Sequence, residues 1–405
     1  MVVAALLAAA PRAAAADRPL PGTPLVPAAP GPVVYFGEPE THGGPPGDRL
    51  RDEIVADARA AAAEARAPAP EADARLDWAM TDLARHLRGD DLPDPEAVAF
   101  LLAHYGLVEP LPHIFCGEAG TGADETIRSR AREEIAAALR AGALGRVGVG
   151  IERTGSQLYV VAAFQETPLS LQAEVKRRLP SGGRARLTAR IEGSYRAPEL
   201  AITWPDGSVH DVAPTVRGRN LTGELRCGAD GRYQVEILAT GAVGPTVLAN
   251  FPVYCGVAPP GVWKGPVAMR QGPADPAAAE RQIVALVNRD RVKAGLPALA
   301  LDARLVPVAR AHCHDMIDHD FVGHLSPRTG TAMDRAHRAG LKPQLVMENV
   351  GRFYSADQAE SGFLGSPGHR GNLLDPRARH IGVGVAYGPE VTGTRPMFVT
   401  EMLTN

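Results

Sequence analysis

The residues most able to do chemistry gather in the last third of the chain: His312, His314, His319, His324, Glu348, His369 and His380. Histidine titrates near neutral pH and is a common metal ligand. A His/Glu set can hold Zn²⁺ with one open position, or activate a water as general base. Spacing leaves both chemistries open, because neither H-E-x-x-H nor G-x-S-x-G occurs. His312 and His314 lie two apart, so on one helix they point to different sides and do not chelate one ion. With His319 past the helix end, the simpler reading of this trio is a polar helix face. Cys313 on the same helix reads as a buried thiol.

These groups need elements to position them. Ile283, Leu286 and Val287 mark one helical stripe, and Leu305, Val308, Ala309 and Met316 a second. Ile381, Val383 and Val385 alternate with Gly382, Gly384 and Ala386, and Met397 to Met402 reads as the last strand. Residues 278–405 are therefore expected to be an α+β domain. Upstream, residues 166–258 switch to strand-like runs such as Leu187–Ile191, Tyr233–Leu238 and Val247–Tyr254, separated by turns at Pro205-Asp206-Gly207 and Asp230-Gly231. This spacing predicts a β-sandwich, immunoglobulin-like in type. Residues 47–165 begin with helical patterns (Ile54, Ala58; Leu76, Met80, Leu83) and end in strands Val147–Ile151 and Leu158–Phe164. Residues 259–277 read as a Pro/Gly linker, 17–46 as a flexible Pro/Gly/Ala leader, and 1–16 as a signal peptide.

A weak internal repeat connects the ends. Asp73-Ala74-Arg75-Leu76 matches Asp302-Ala303-Arg304-Leu305, and Val147–Ile151 resembles Ile381–Val385. Between them, Ala103–Leu107 loosely matches Ala336–Leu341, in the same order. Residues 47–165 are thus expected to be a diverged copy of the C-terminal domain, without its His and Glu set.

The chain has 405 residues, 45% of them hydrophobic, which calls for several globular domains. A net charge of −3 without a Lys/Arg block argues against nucleic acid as a partner. After the first residues no apolar run is long enough to span a membrane. In an exported protein the four cysteines permit disulfides, and Cys227 with Cys255 is the favoured pair because both sit in strand-like segments of one domain. Whether Cys116 pairs with Cys313 stays open.

Five segments in order carry a family resemblance. They are Val287-Asn288-Arg289, Ala311–Met316, Phe321–Gly330 with His324-Leu325-Ser326-Pro327, Glu348-Asn349-Val350, and Ser366-Pro367-Gly368-His369-Arg370-Gly371-Asn372, followed by His380–Ala386. Together they resemble the bacterial branch of the CAP/SCP superfamily of cysteine-rich secretory, antigen 5 and pathogenesis-related proteins, over about residues 278–405. The resemblance implies an α-β-α sandwich and a cleft of two histidines and two acids. His324 and His369 match the histidines and Glu348 the first acid, with a divalent cation, Zn²⁺ first, as the implied occupant. The second acid falls near Ser366, a departure that weakens a four-ligand cage. Phe363 replaces a common Trp, and Met347 a common Gly. Ser366 reads as a helix N-cap, His380 as a solvent-facing strand start, and Asn349 and Asn372 as structural amides.

Three functions follow as expectations. The first is a secreted or envelope protein that binds a small apolar or lipid-like ligand, or a partner protein, at the His/Glu cleft. The second is a metal- or Glu-assisted hydrolase, and the third an adhesion protein without turnover. The missing second acid and the absence of a recognisable nucleophile favour binding.

Overall fold

The computed structural model describes residues 23–35, 43–89, 91–142, 144–269, 272, 275–390 and 395–405. The predicted signal peptide lies outside the described residues. The chain runs β1 (Val34–Tyr35), α1 (Arg49–Glu64), β2 (Glu71–Ala72), α2 (Ala74–His86), β3 (Leu92–Pro93), α3 (Pro95–His104), β4 (His113–Gly120), α4 (Asp124–Ala141), β5 (Arg146–Thr154) and β6 (Gln157–Gln165). Strands β7 (Leu169–Leu171), β8 (Val175–Lys176), β9 (Arg178–Leu179), β10 (Arg184–Ile191), β11 (Arg196–Thr203), β12 (Val209–Val212), β13 (Thr215–Arg217), β14 (Asn220–Arg226), β15 (Gly231–Gly241) and β16 (Gly244–Cys255) follow. Then come β17 (Ala268–Met269), α5 (Pro276–Lys293), β18 (Ala300–Leu301), α6 (Leu305–Asp318), α7 (Ala332–Arg338), β19 (Val346–Phe353), α8 (Ala356–Gly365), α9 (Pro367–Leu373), β20 (His380–Tyr387) and β21 (Met397–Thr404).

Local chemistry starts these helices where the pattern predicts. Asp48, Asp73, Asp94 and Asp275 each accept an amide hydrogen bond at a helix start, and Pro95 and Pro276 occupy first positions. Thr331 and Asp334 close a reciprocal capping box on α7.

The C-terminal unit is a four-stranded sheet, β18-β20-β21-β19, with helices on both faces. Ile381, Val383, Val399 and Leu403 pack with α5 and α8 residues Ile283 and Phe363. The other face packs Met402 against Leu305 and Ala309 of α6. Gly382 and Gly384 face α6, and this is why they are glycines. A Cβ at Gly384 would stand 2.2 Å from the Arg310 backbone nitrogen, and one at Gly382 would stand 2.2 Å from the Leu305 Cβ. Gly384→Ala is expected to lower stability by about 1–3 kcal/mol or more, because α6 must retreat from the sheet; thermal unfolding of the variant measures this.

The N-terminal unit has the sheet β2-β5-β6-β4, with the same strand order and the same directions. Details coincide too. Arg75 and Arg304 each clasp the Asp two residues earlier, with bonds of 3.0 and 2.7 Å in both units. Gly148 and Gly150 face α2 as Gly382 and Gly384 face α6. Helices α3 and α7 end alike, with Gly106 and Gly340 at φ +82° and +79° and Leu107 and Leu341 amides reaching back five residues.

Between these units, the sheets β13-β14-β10-β7 and β12-β11-β15-β16-β9 bury one shared core around Leu187, Leu221, Tyr233 and Phe251. Cys227 and Cys255 form the expected disulfide, and Cys116 and Cys313 are free thiols.

The two Pro/Gly-rich stretches differ from expectation. In the described part of the leader, Leu25 and Tyr35 are fully buried. Leu25 bridges Trp263, β1 pairs with β8, and Tyr35 Oη donates to Pro252 O at 2.6 Å. In the segment read as a linker, β17 pairs with β3. Proline favours extended backbone, and isolated apolar residues within it found strand edges and cores to join.

Candidate functional site

The cleft is assembled from three stretches: the loop after α6, the middle of β19, and the turn into α9. His312 of α6 is not on a polar face as predicted. It is fully buried, and its Nε2 lies 2.9 Å from Gly323 O, so it ties down the His324 loop. His314 is exposed, and His319 Nδ1 contacts Asp315 of its own helix. Ser326 Oγ accepts the Arg328 and Thr329 amides at 3.0 Å and holds the turn after His324.

His324 Nδ1 faces Glu348 Oε2 at 3.1 Å. With a carboxylate as acceptor, Nδ1 is the donor of this bond. Glu348 Oε1 accepts from Arg335 Nη2 at 2.5 Å. The same guanidinium donates to Gly330 O at 2.6 Å and to His324 O at 3.3 Å. Arg335 and Glu348 are only 5% and 6% exposed. Burial opposes the charge on Glu348, but the His324 hydrogen bond and the Arg335 charge outweigh it and hold the carboxyl below its usual range. The His369 ring lies 6.2 Å from His324 and 5.1 Å from Phe363, centroid to centroid. Burial, with His324 adding to it, pushes the His369 imidazole down to about 3. The structure thus brings His324, Glu348 and His369 together, and adds Arg335.

Behind the cleft, Asn349 Nδ2 donates to Glu401 Oε2 at 3.0 Å, and Asn372 Nδ2 donates to Asn349 Oδ1 at 2.9 Å and to Glu348 O at 3.1 Å. The two amides are structural, as predicted. Glu401 and Glu360 are 0% and 2% exposed, and burial together with neighbouring carboxylates pushes both well above the usual range. A raised carboxyl means that the folded state keeps a proton the unfolded chain releases. Its stabilisation is present below the unfolded value of about 4.3 and is lost as pH rises through the folded value, by up to about 1.4 kcal/mol per pH unit for each proton. Glu360→Gln is expected to flatten the fall in melting temperature between about pH 5 and 8; differential scanning fluorimetry across that range checks it. A variant as steep as wild type refutes it.

The middle unit closes the other side. Leu325 N donates to Val243 O at 2.8 Å, and a Cβ at Gly323 would stand 2.5 Å from Val243 Cβ. Glu236 of β15, fully buried, accepts the Gly368 amide at 2.9 Å. Burial pushes this carboxyl up to about 7, opposed by the Gly368 amide bond. Arg370 Nε donates to Gly207 O at 2.8 Å, and Asn250 Nδ2 to Gly365 O at 3.2 Å. Ser366 stands at the N-cap of α9, but its hydroxyl makes no capping bond, so it is a cap by position alone. His380 is half-buried at the start of β20, less open than predicted.

The cleft offers two imidazoles, His324 and His369, with the Glu348 carboxylate hydrogen-bonded behind the first. Both Glu348 oxygens are committed, one of them to a guanidinium that would repel a metal ion. Among the described residues, no group of three His, Cys, Asp or Glu could hold one. A recess of about 480 Å³ lies elsewhere, lined by Asp94 and Glu96 of α3, Met269, and Ser355 and Gln358 near α8; no cleft residue lines it. Among the described residues, no helix is long and apolar enough to cross a membrane.

Sequence reasoning missed Arg335, Glu401, Glu360 and Glu236. For Glu236 and Glu401 a signal exists: each is a carboxylate inside a short run without other charges, Val235-Glu236-Ile237 and Val399-Thr400-Glu401-Met402. Such a position is mostly filled only when a partner waits.

Comparison with known proteins agrees on where the family lies. The model of the cysteine-rich secretory protein family, CAP, matches residues 284–401. The chain is 34% identical over 113 residues to the uncharacterized protein YkwD of Bacillus subtilis (strain 168), covering 28% of this chain and 44% of that protein. It is 37% identical over 108 residues to the uncharacterized membrane protein YlbC of the same organism, covering 26% and 31%. The chain therefore spans less than half the length of either relative. Among solved structures, an extracellular protein containing a SCP domain from Bacillus anthracis str. Ames aligns at 22% identity and TM-score 0.30, over 48% of this chain and 67% of that one. A cysteine-rich secretory protein from Staphylococcus aureus subsp. aureus Mu50 aligns at 12% and 0.26, over 60% and 82%. Residues 284–401 of this chain are a CAP domain of the cysteine-rich secretory protein family.

Proposed function

We propose that this is an exported binding protein whose CAP cleft receives a small apolar or lipid-like ligand without turnover. One observation carries the reading: both oxygens of the cleft carboxylate are engaged, Glu348 Oε1 by Arg335 and Oε2 by His324. A carboxylate so engaged is neither an open metal ligand nor a free base. It orients His324 as a fixed hydrogen-bonding group instead, beside the exposed apolar side chains of Val322 and Leu325. Export is supported by the Cys227–Cys255 disulfide, which persists in oxidising compartments. The immunoglobulin-like middle unit serves as a docking frame. The N-terminal unit is read as a diverged CAP copy without a cleft, supported by its matching topology and by Leu101 and Ile114 at the places of Arg335 and Glu348.

A hydrolase is the second reading, favoured by the His324–Glu348 pair, which resembles an oriented acid–base dyad. Native mass spectra of the full chain, as wild type and as His324→Ala, separate the readings. A co-purified lipid-sized mass that the variant loses supports binding. Bare protein in both, with turnover of an ester or peptide probe lost in the variant, supports the hydrolase.

A further inference from the structure

Whatever occupies the cleft, both of its histidine-bearing segments rest on the middle unit. The β15–β16 turn meets the His324 loop through the Leu325–Val243 backbone bond, and Gly323 and Gly244 leave no space there for a side chain. A Cβ on Gly244, itself at φ +101°, would stand 3.3 Å from His324 Cβ. On the other side, Glu236 binds the amide of Gly368, the residue just before His369. A Cβ at Gly368 would stand 3.2 Å from Glu236 Oε1 and 3.3 Å from Leu238 Cδ2, so this turn is clamped as well.

Glu236 is out of place by packing rules alone. It sits fully buried in a strand whose neighbours, Val235 and Ile237, are apolar. An apolar side chain of similar volume would fill such a site without the desolvation that a carboxyl suffers. What an apolar side chain could not do is accept the Gly368 hydrogen bond. The CAP domain also has Ser366, and no acid, on its own side of this contact.

We propose that Glu236 is a positioning residue of the cleft: its carboxyl reaches from the middle unit to hold the Ser366–Gly368 turn and thereby fixes His369, so that two domains build one site. His324 is fixed in parallel by the β15–β16 turn.

The test follows the His369 imidazole by histidine NMR in the full chain, as wild type, Glu236→Leu, Glu236→Gln and Asn250→Ala. Glu236→Leu keeps volume and deletes the acceptor. The His369 midpoint should then rise by at least about one pH unit, a tenfold change in proton affinity, as the turn loosens and water reaches the ring. Glu236→Gln keeps a carbonyl acceptor and should restore the wild-type midpoint. Asn250→Ala removes a neighbouring interdomain bond, to Gly365 O, and should move it less. The proposal is overturned if Glu236→Leu leaves His369 unchanged, if Gln fails to restore it, or if Asn250→Ala shifts it equally. A reading that needs no variant covers the case in which Leu does not fold. Slow amide exchange at Gly368 in the wild type supports the clamp, and exchange at the unprotected rate overturns it.

Discussion

Arg335→Leu is expected to destabilise the CAP domain by about 3–5 kcal/mol, the effect of leaving a buried charge without its partner. In the wild-type protein the guanidinium closes on Glu348 and on two loop carbonyls, Gly330 O and His324 O. Without it, Glu348 must bury an uncompensated charge or take up a proton. The pH dependence has a definite sign. Because the Glu348 carboxyl is held below its unfolded value, the pair contributes fully above about pH 4.3 and loses its contribution as pH falls. The variant should therefore differ most from wild type at neutral pH and converge with it in acid. Amide exchange in β19 and β21 reads this domain alone, which a global melt of a multidomain chain does not.

The N-terminal unit indicates how the loss could be repaired. Aligning the sheets on Gly148 and Gly382 places Ile114 at the position of Glu348. Aligning the helix ends at Gly106 and Gly340 places Leu101 at the position of Arg335. Both partners of the ion pair are apolar there and join one core. Arg335→Leu with Glu348→Ile should accordingly recover most of the stability while abolishing any role of the cleft. A double variant no more stable than the single one would refute this view of the pair.

Breaking the Cys227–Cys255 bond, with Cys227→Ser and Cys255→Ser together, should lower the stability of the middle unit by about 3–4 kcal/mol, the chain-entropy value for a loop of this length. The bond closes a loop of 28 residues in sequence that contains β15 and most of β16. These are the strands that carry Glu236 and the Val243 turn, so the loss should also loosen the His369 and His324 segments. Thermal unfolding with and without reductant measures the first effect. The free thiols Cys116 and Cys313 supply the control, since their replacement should leave the response to reductant unchanged. Burial pushes both thiols up to about 12, which keeps them unreactive.

Much of the fold was legible because two periods dominate it. Alternation placed β20 from Ile381, Val383 and Val385, and helical spacing placed α6 from Leu305, Ala309 and Met316. The site residues His324, Glu348 and His369 were legible as motif positions. Arg335 was not, because an arginine in a short polar helix with His337 and Arg338 beside it resembles any solvated face. Only the burial created by β19 selects it. Glu236 was legible only as a carboxylate between Val235 and Ile237: its partner is the backbone of Gly368, 132 residues away, and a main-chain partner leaves no mark in sequence. The leader and the linker were misread because Pro and Gly content outweighed a few apolar residues that the fold uses as anchors.

One chain thus carries the same strand order in two four-stranded sheets, one with Glu348 and Asn349 on its edge strand and Glu401 on the strand beside it, and one with Ile114, Phe115 and Ala162 at those places. The pair forms a natural experiment on what buried polar residues take from rigidity. Both sheets must wet an apolar core to open, but at these three places the C-terminal sheet exposes groups whose hydrogen bonds water can replace, whereas the N-terminal sheet exposes further apolar side chains. Amide exchange in β4 and β6 is expected to be slower than in β19 and β21, and the ratio measures within one molecule what the buried polar residues cost in protection.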